Sequence, residues 1–227
     1  MKTVGLVGGI SWTSTLDYYK RINEGINQRL GGLEFARCMI YSVNFGDIYR
    51  HTWPHAGGLL LDACRCLVAG GAEGIALCAN TAHMFADEIA AKIDVPLIHI
   101  GAETANTVRR SGLERVALLG TQFTMEMDFY RDKLRSQGVE PMIPGSKSVR
   151  DYLQQTIRDE LGAGIVKAET KNRYIEIVNE LREGGAQGLV MGCTEIPLLI
   201  GQADFEFPVF DTVGIHTDAI VKFALDE

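Results

Sequence analysis

Residues 69–83 read AGGAEGIALCANTAH, and residues 183–197 read EGGAQGLVMGCTEIP. At an offset of 114, Gly70, Gly71, Ala72 and Gly74 fall on Gly184, Gly185, Ala186 and Gly188. The apolar runs Ile75-Ala76-Leu77 and Leu189-Val190-Met191 then coincide, and Ala79 lands on Cys193. Outward from this core, an offset of 112 sets KTVGLVGG (2–9) against ERVALLGT (114–121). The same offset sets Val95-Pro96-Leu97-Ile98 against Phe207-Pro208-Val209-Phe210. Three matched segments in one order indicate a duplicated unit facing a related partner. The copies differ at one chemically decisive position, a methyl in the first and a thiol in the second.

Short runs rich in Val, Ile and Leu occupy 3–7, 38–43, 74–78, 96–100, 115–119, 188–192 and 207–211. They lack clean polar alternation, as strands buried on both faces of a parallel sheet do. Segments of helical period lie between them, near 14–29, 56–70, 82–91, 101–111, 124–137, 149–161, 167–184 and 213–225. This alternation predicts an α/β fold of two pseudo-symmetric parallel-sheet halves, with the active site in the cleft between them. No Pro/Ser-rich linker separates the halves, and Gly145-Ser146-Lys147 after Pro144 is the candidate mobile loop.

The 227 residues are 46% hydrophobic and 22% charged, ordinary for a globular chain. A formal charge of −7 and the absence of a basic cluster argue against a nucleic-acid partner. MKTVGLVGGISW reads as a buried first strand rather than a signal peptide, and no apolar stretch is long enough for a membrane span. The five cysteines, Cys38, Cys64, Cys66, Cys78 and Cys193, form no C-x-x-C pair. Their odd number argues against a disulfide framework and for a reducing, cytoplasmic setting; no metal site is expected.

Ligands in parallel α/β sheets collect beyond the carboxyl ends of strands. Four such ends carry small or hydroxylic residues: Gly8-Gly9-Ile10-Ser11, Ala79-Asn80-Thr81, Gly120-Thr121-Gln122-Phe123-Thr124 and Gly192-Cys193-Thr194-Glu195. A helical segment follows each, so free N–H groups and hydroxyls favour a small anion such as a carboxylate. Any one alone reads as a helix cap; four at equivalent positions favour a site. Cys193 is the strongest candidate, its thiolate expected to be stabilised by a helix N-terminus. Cys38, Cys64 and Cys66 read as small buried hydrophobes. Cys78 precedes Ala79 on a strand and so should face away from it, unless a turn at Cys78 re-aims it.

These residues resemble the cofactor-independent aspartate/glutamate racemase superfamily, its aspartate racemase branch above all. The resemblance runs through GLVGGISWTST, LCANTAH (77–83), ALLGTQFTM (117–125), GCTEIPLL (192–199) and PVFDT (208–212). It implies two α/β halves, 1–100 plus 208–227 and 101–207, a homodimer, an amino-acid or small-carboxylate substrate and no cofactor. It further implies that one thiol removes the Cα proton while a group opposite delivers a proton to the other face. On this pattern Cys193 is the acid/base. Asn80, Thr81, Thr121, Thr124, Thr194 and Ser11 hold carboxylate or amino groups. Glu195 and His83 complete the motifs without a proton-transfer role.

The chain departs from the pattern at Ala79, where the second proton carrier belongs. Three accounts are open: Cys78, Thr81 or a water substitutes; one thiol serves another reaction; or Ala79 is an engineered replacement. The Lys that family members often carry near 160–164 is also missing. Arg50 and Lys167 are substitutes for it, each more simply a solvated surface cation. His51, Trp53 and His55 line either a lid or a plain loop. The competing functions are a single-thiol decarboxylase of a disubstituted malonate and a non-catalytic amino-acid binder. A nucleotide site is disfavoured, because Gly5-x-x-Gly8-Gly9 lacks the required glycine spacing.

Overall fold

The computed structural model describes residues 1–51 and 53–227; the His51 side chain, and with it that residue's place in a lid, lies outside the described residues. The chain forms two compact units, Met1–Ile100 with Val213–Glu227, and Gly101–Thr212.

The first unit holds β1 (Val4–Gly8), α1 (Trp12–Leu30), β2 (Cys38–Ser42), α2 (Phe45–His51), α3 (Gly57–Ala69), β3 (Gly74–Leu77), α4 (Ala86–Ala90) and β4 (Leu97–Ile98). Helix α5 (Ile100–Arg110) opens the second unit. It continues with β5 (Arg115–Gly120), α6 (Gln122–Glu126), α7 (Asp128–Ser136), β6 (Glu140–Met142), α8 (Lys147–Asp159), α9 (Ala168–Glu183), β7 (Leu189–Gly192) and β8 (Val209–Asp211). Helix α10 (Thr212–Leu225) returns to the first unit. Each unit has one four-stranded, all-parallel sheet, ordered β2-β1-β3-β4 and β6-β5-β7-β8. The repeat extends to register, since Ile75 pairs with Leu97 and Leu189 with Val209. Gly71 and Gly185, matched in the sequence, both take positive φ, +101° and +105°, a region costly for side chains with a Cβ.

Alternation along β3 divides the first unit's core. Ile75, Leu77 and Ala79 pack with α3 residues such as Leu60 and Leu67. Ala76 and Cys78 pack on the opposite side with Tyr18, Ile22 and Ile220 of α1 and α10. The second unit repeats this phase: Leu189, Met191 and Cys193 join Leu153, Tyr174 and Val178 of α8 and α9.

Five details differ from the sequence reading. Strand β6 was not foreseen, because Pro141 supplies no N–H; it is tolerated since β6 lies at the sheet edge. The 38–43 run is an edge strand too, with Ile40 and Tyr41 exposed. The 124–137 helix is two helices, divided where Met127 takes extended backbone. Strand β8 pairs with β7, so 208–212 stays with the second unit and the return crossing follows Thr212 rather than residue 207. Finally, Lys147 already belongs to α8, and Arg150 ties down the preceding loop by donating to Pro144 O at 2.7 Å and Gly145 O at 2.9 Å.

Candidate active site

In the second unit, the ends of adjacent strands β5 and β7 bring Thr121, Thr124, Cys193 and Thr194 together. Thr121 caps α6, accepting from the Thr124 N–H at 3.3 Å, and the two hydroxyls share a 3.1 Å hydrogen bond. Gly192 permits this packing, because a Cβ there would stand 2.9 Å from Thr124 Cγ2. Cys193 is buried, and its thiol donates to Glu195 Oε2 at 2.9 Å. The Thr194 hydroxyl donates to the same oxygen at 2.8 Å.

The Thr194 and Glu195 N–H groups favour the thiolate as expected of the turn, but other influences outweigh them. Burial, then the negative charge of Glu195 and its hydrogen bond, hold the Cys193 thiol well above its ordinary range. The helix that follows is a single 3-10 turn, Ile196–Leu198. A helix end contributes about 0.3–1 kcal/mol, less than one pKa unit, whereas full burial moves a pKa by up to about 3–5 units. Desolvation wins, and Cys193 rests as a thiol. Replacing Glu195 with glutamine removes one raising influence and moves the thiol's titration down. Alkylation of Cys193 by iodoacetamide, followed from about pH 8 to about pH 10, should therefore run several-fold faster in E195Q at each pH. An unchanged profile would show that the carboxylate does not govern the thiol.

In the first unit, the ends of β1 and β3 carry Ser11, Ala79, Asn80 and Thr81. Ser11 caps α1, accepting from the Ser14 N–H at 3.4 Å. Gly9 has φ +84°, and a Cβ on it would strike the Val43 backbone. Its N–H donates to Thr15 Oγ1 at 2.9 Å, and the Thr15 hydroxyl donates to Ser11 O at 2.9 Å. Asn80 and Thr81 are buried, with Thr81 opening a 3-10 turn to Phe85. Ala79 occupies the strand-end phase that Cys193 occupies in the second unit.

Arg50 is not part of either strand-end set: it is exposed on α2 and ion-paired with Asp47. Lys167 pairs with Glu160 at 2.9 Å. Trp53 packs against the first unit's core and His55 is exposed. Cys78 is fully buried on the face opposite Ala79, and burial pushes its thiol up. Cys64 is buried and pushed up to about 12 by desolvation. Cys66, expected inside, is exposed, since two steps along α3 turn the side chain to the other face. Cys38 is half-buried. Among the described residues no group of three His, Cys, Asp or Glu side chains could hold a metal, and no helix is long and apolar enough to cross a membrane.

Sequence reasoning missed Thr15, legible only as a hydroxyl one turn after the Ser11 cap, and the direct Glu195 contact to the thiol.

The Asp/Glu/Hydantoin racemase family model matches residues 7–220. The chain belongs to this family. It is 23% identical over 217 residues to the broad-specificity amino-acid racemase RacX of Bacillus subtilis, covering 92% of each chain. It is 30% identical over 156 residues to a glutamate racemase of Streptococcus sanguinis, which is 67% of this chain and 53% of that protein. Among solved structures, a candidate Asp/Glu racemase from Yersinia pestis superposes with a TM-score of 0.92 at 40% identity, over 99% of this chain and 100% of that one. An aspartate racemase homologue from Pyrococcus horikoshii OT3 gives 0.86 at 33%, again over 99% and 100%.

Proposed function

We propose that this chain is a cofactor-independent amino-acid racemase in which Cys193 is the acid/base and Ala79 stands where the second proton carrier belongs. The observation that carries the reading is the buried Cys193 thiol at the end of β7, hydrogen-bonded to Glu195 in the G-C-T-E element. Burial first, and the Glu195 carboxylate second, keep the thiol protonated at rest. A substrate ammonium near the pair would offset the Glu195 charge and let Cys193 release its proton to solvent water as the substrate binds. The thiolate then takes the Cα proton, the electron pair passes into the substrate carboxylate as an enediolate, and a proton returns to the carbon. Return from Cys193 restores the starting configuration; return from the opposite face inverts it.

On this reading Thr121, Thr124 and Thr194 hold the substrate from the second unit, and Ser11, Asn80 and Thr81 from the first. Arg50 contributes only if it leaves Asp47, and a preference for an acidic side chain is not part of this reading. The test is Cα–H exchange in deuterium oxide by proton NMR on both enantiomers of aspartate, glutamate and several neutral amino acids, with chiral analysis. No exchange with any of them would sink the racemase reading.

The inequality of Ala79 and Cys193 favours one second reading: a decarboxylase that protonates an enediolate from one side. Carbon dioxide release from a disubstituted malonate, dependent on Cys193, would select it. Tight amino-acid binding without exchange would instead mark a non-catalytic binder.

A homodimer and a cytoplasmic location belong to the same proposal. Free cysteines support the location. For the dimer, Trp12, Leu16 and Tyr19 form an exposed stripe on α1, and Ile40 and Tyr41 are exposed on edge strand β2. Sedimentation should give a dimer that Trp12→Lys with Leu16→Lys disperses; a monomeric parent chain would refute it.

A further inference from the structure

The first unit buries two imidazoles, His83 and His216, that the proposed chemistry does not use, and the half-buried His99 ring stands 4.7 Å from His83. His83 lies two residues into the 3-10 turn that Thr81 begins, and it is 2% exposed. Its Nδ1 is 2.9 Å from Ala79 O, and the Ile100 N–H donates to its Nε2 at 3.2 Å. A carbonyl accepts and an N–H donates, so both ring nitrogens are assigned. Nδ1 carries the proton, Nε2 is bare, and the ring is neutral. His216 on α10 has the opposite arrangement. Its Nε2 is 2.8 Å from Ile98 O, and its Nδ1 is 2.8 Å from the Tyr18 hydroxyl. The two rings meet edge to face, with centroids 5.6 Å apart. Desolvation, then the neighbouring His83, lower His216 to about 3, consistent with an uncharged pair.

The partners matter because of where they lie in the chain. Ala79 opens the Ala79-Asn80-Thr81 turn. Ile98 and Ile100 are among the last residues before the chain passes into the second unit at Gly101, and His216 follows closely on its return at Val213. We propose that His83 is a positioning residue: it fixes the Ala79-Asn80-Thr81 turn against the 98–100 segment, donating from Nδ1 to Ala79 O and accepting at Nε2 from the Ile100 N–H. Its importance for substrate rests on the racemase reading, in which Asn80 and Thr81 hold the ligand; the coupling itself does not. The alternative is a histidine that merely fills space, with a ring free to adopt either tautomer.

Long-range proton–nitrogen correlation on the isotope-labelled full chain near neutral pH tests this directly. The expected spectrum shows His83 protonated at Nδ1 and His216 at Nε2, two opposite neutral tautomers in one protein. In His83→Ala, amide exchange at Ile100 should rise at least about tenfold, and the Asn80 and Thr81 amide signals should move. The Leu118 amide of β5 should stay as it was. His83→Asn, whose amide can still donate to Ala79 O, should return Asn80 and Thr81 toward their original positions while exchange at Ile100 stays faster than in the parent. An Nε2-protonated or charged His83 would overturn the inference, as would unmoved Asn80 and Thr81 signals in His83→Ala. Should His83→Ala fail to fold, the tautomers and His83→Asn still decide. Failure of Cα–H exchange in the parent chain sinks the racemase reading without touching these signals.

Discussion

Replacing Cys193 with serine is expected to lower Cα–H exchange by about 10²–10⁴-fold, the usual cost of losing a positioned acid/base. Serine keeps nearly the same volume and still donates to Glu195, so the packing around position 193 and the Thr194 contact to Glu195 survive. What is lost is an ionisable proton carrier, because a buried hydroxyl beside a carboxylate does not ionise near neutral pH. The melting temperature should hardly change, which separates lost chemistry from lost fold. Exchange that persists at the parent rate would remove Cys193 from the mechanism and, with it, the equivalence between the two strand ends. The decarboxylase reading makes the same demand on Cys193 with a malonate substrate, so the variant tests the site under both.

Placing a thiol in the first unit has the second large effect, in the opposite direction. Ala79→Cys is expected to raise the inversion rate by up to about 10²–10⁴-fold, with exchange at retained configuration changing far less. The argument rests on phase. Ala79 shares its side of β3 with Ile75 and Leu77, as Cys193 shares its side of β7 with Leu189 and Met191. Cys78, one residue earlier, packs among Tyr18, Ile22 and Ile220 on the other side and is fully buried. Cys78→Ala should therefore leave inversion unchanged. The measurement is deuterium incorporation with chiral analysis for the parent and both variants. Rapid inversion by the parent, unaffected by Ala79→Cys, would mean that Thr81 or a water already delivers the second proton. Sensitivity to Cys78→Ala would overturn the assignment of its direction.

Much of the candidate site was legible because it is local chemistry repeated. Buried parallel strands announce themselves as apolar runs, and glycine, serine and threonine at their ends follow from turn and cap requirements. Ser11 and Thr121 are caps in the structure, as their place before helical segments suggested. Arg50 was less legible: Asp47 stands three residues earlier, a spacing that pairs side chains only if the segment is helical, and the apolar pattern did not mark α2 as a helix. His83 stood out only as the end of a motif; its partner Ile100 lies 17 residues away, and His216 far beyond that.

By itself, the sequence determined that the chain is a duplicated α/β protein of this family and that its two copies are chemically unequal at Ala79 and Cys193. Period, turn chemistry and internal repetition are properties of neighbouring residues, and they survive without a fold. Tertiary structure decided the burial of Cys193 beside Glu195, the direction of Cys78, the backbone partners of His83, the edge position of β6 and the membership of β8. Each of these depends on what is excluded from water, or on which distant backbone group arrives as a partner. Desolvation and hydrogen bonding act through space, so only the packed chain shows that burial outweighs the turn's N–H groups at Cys193.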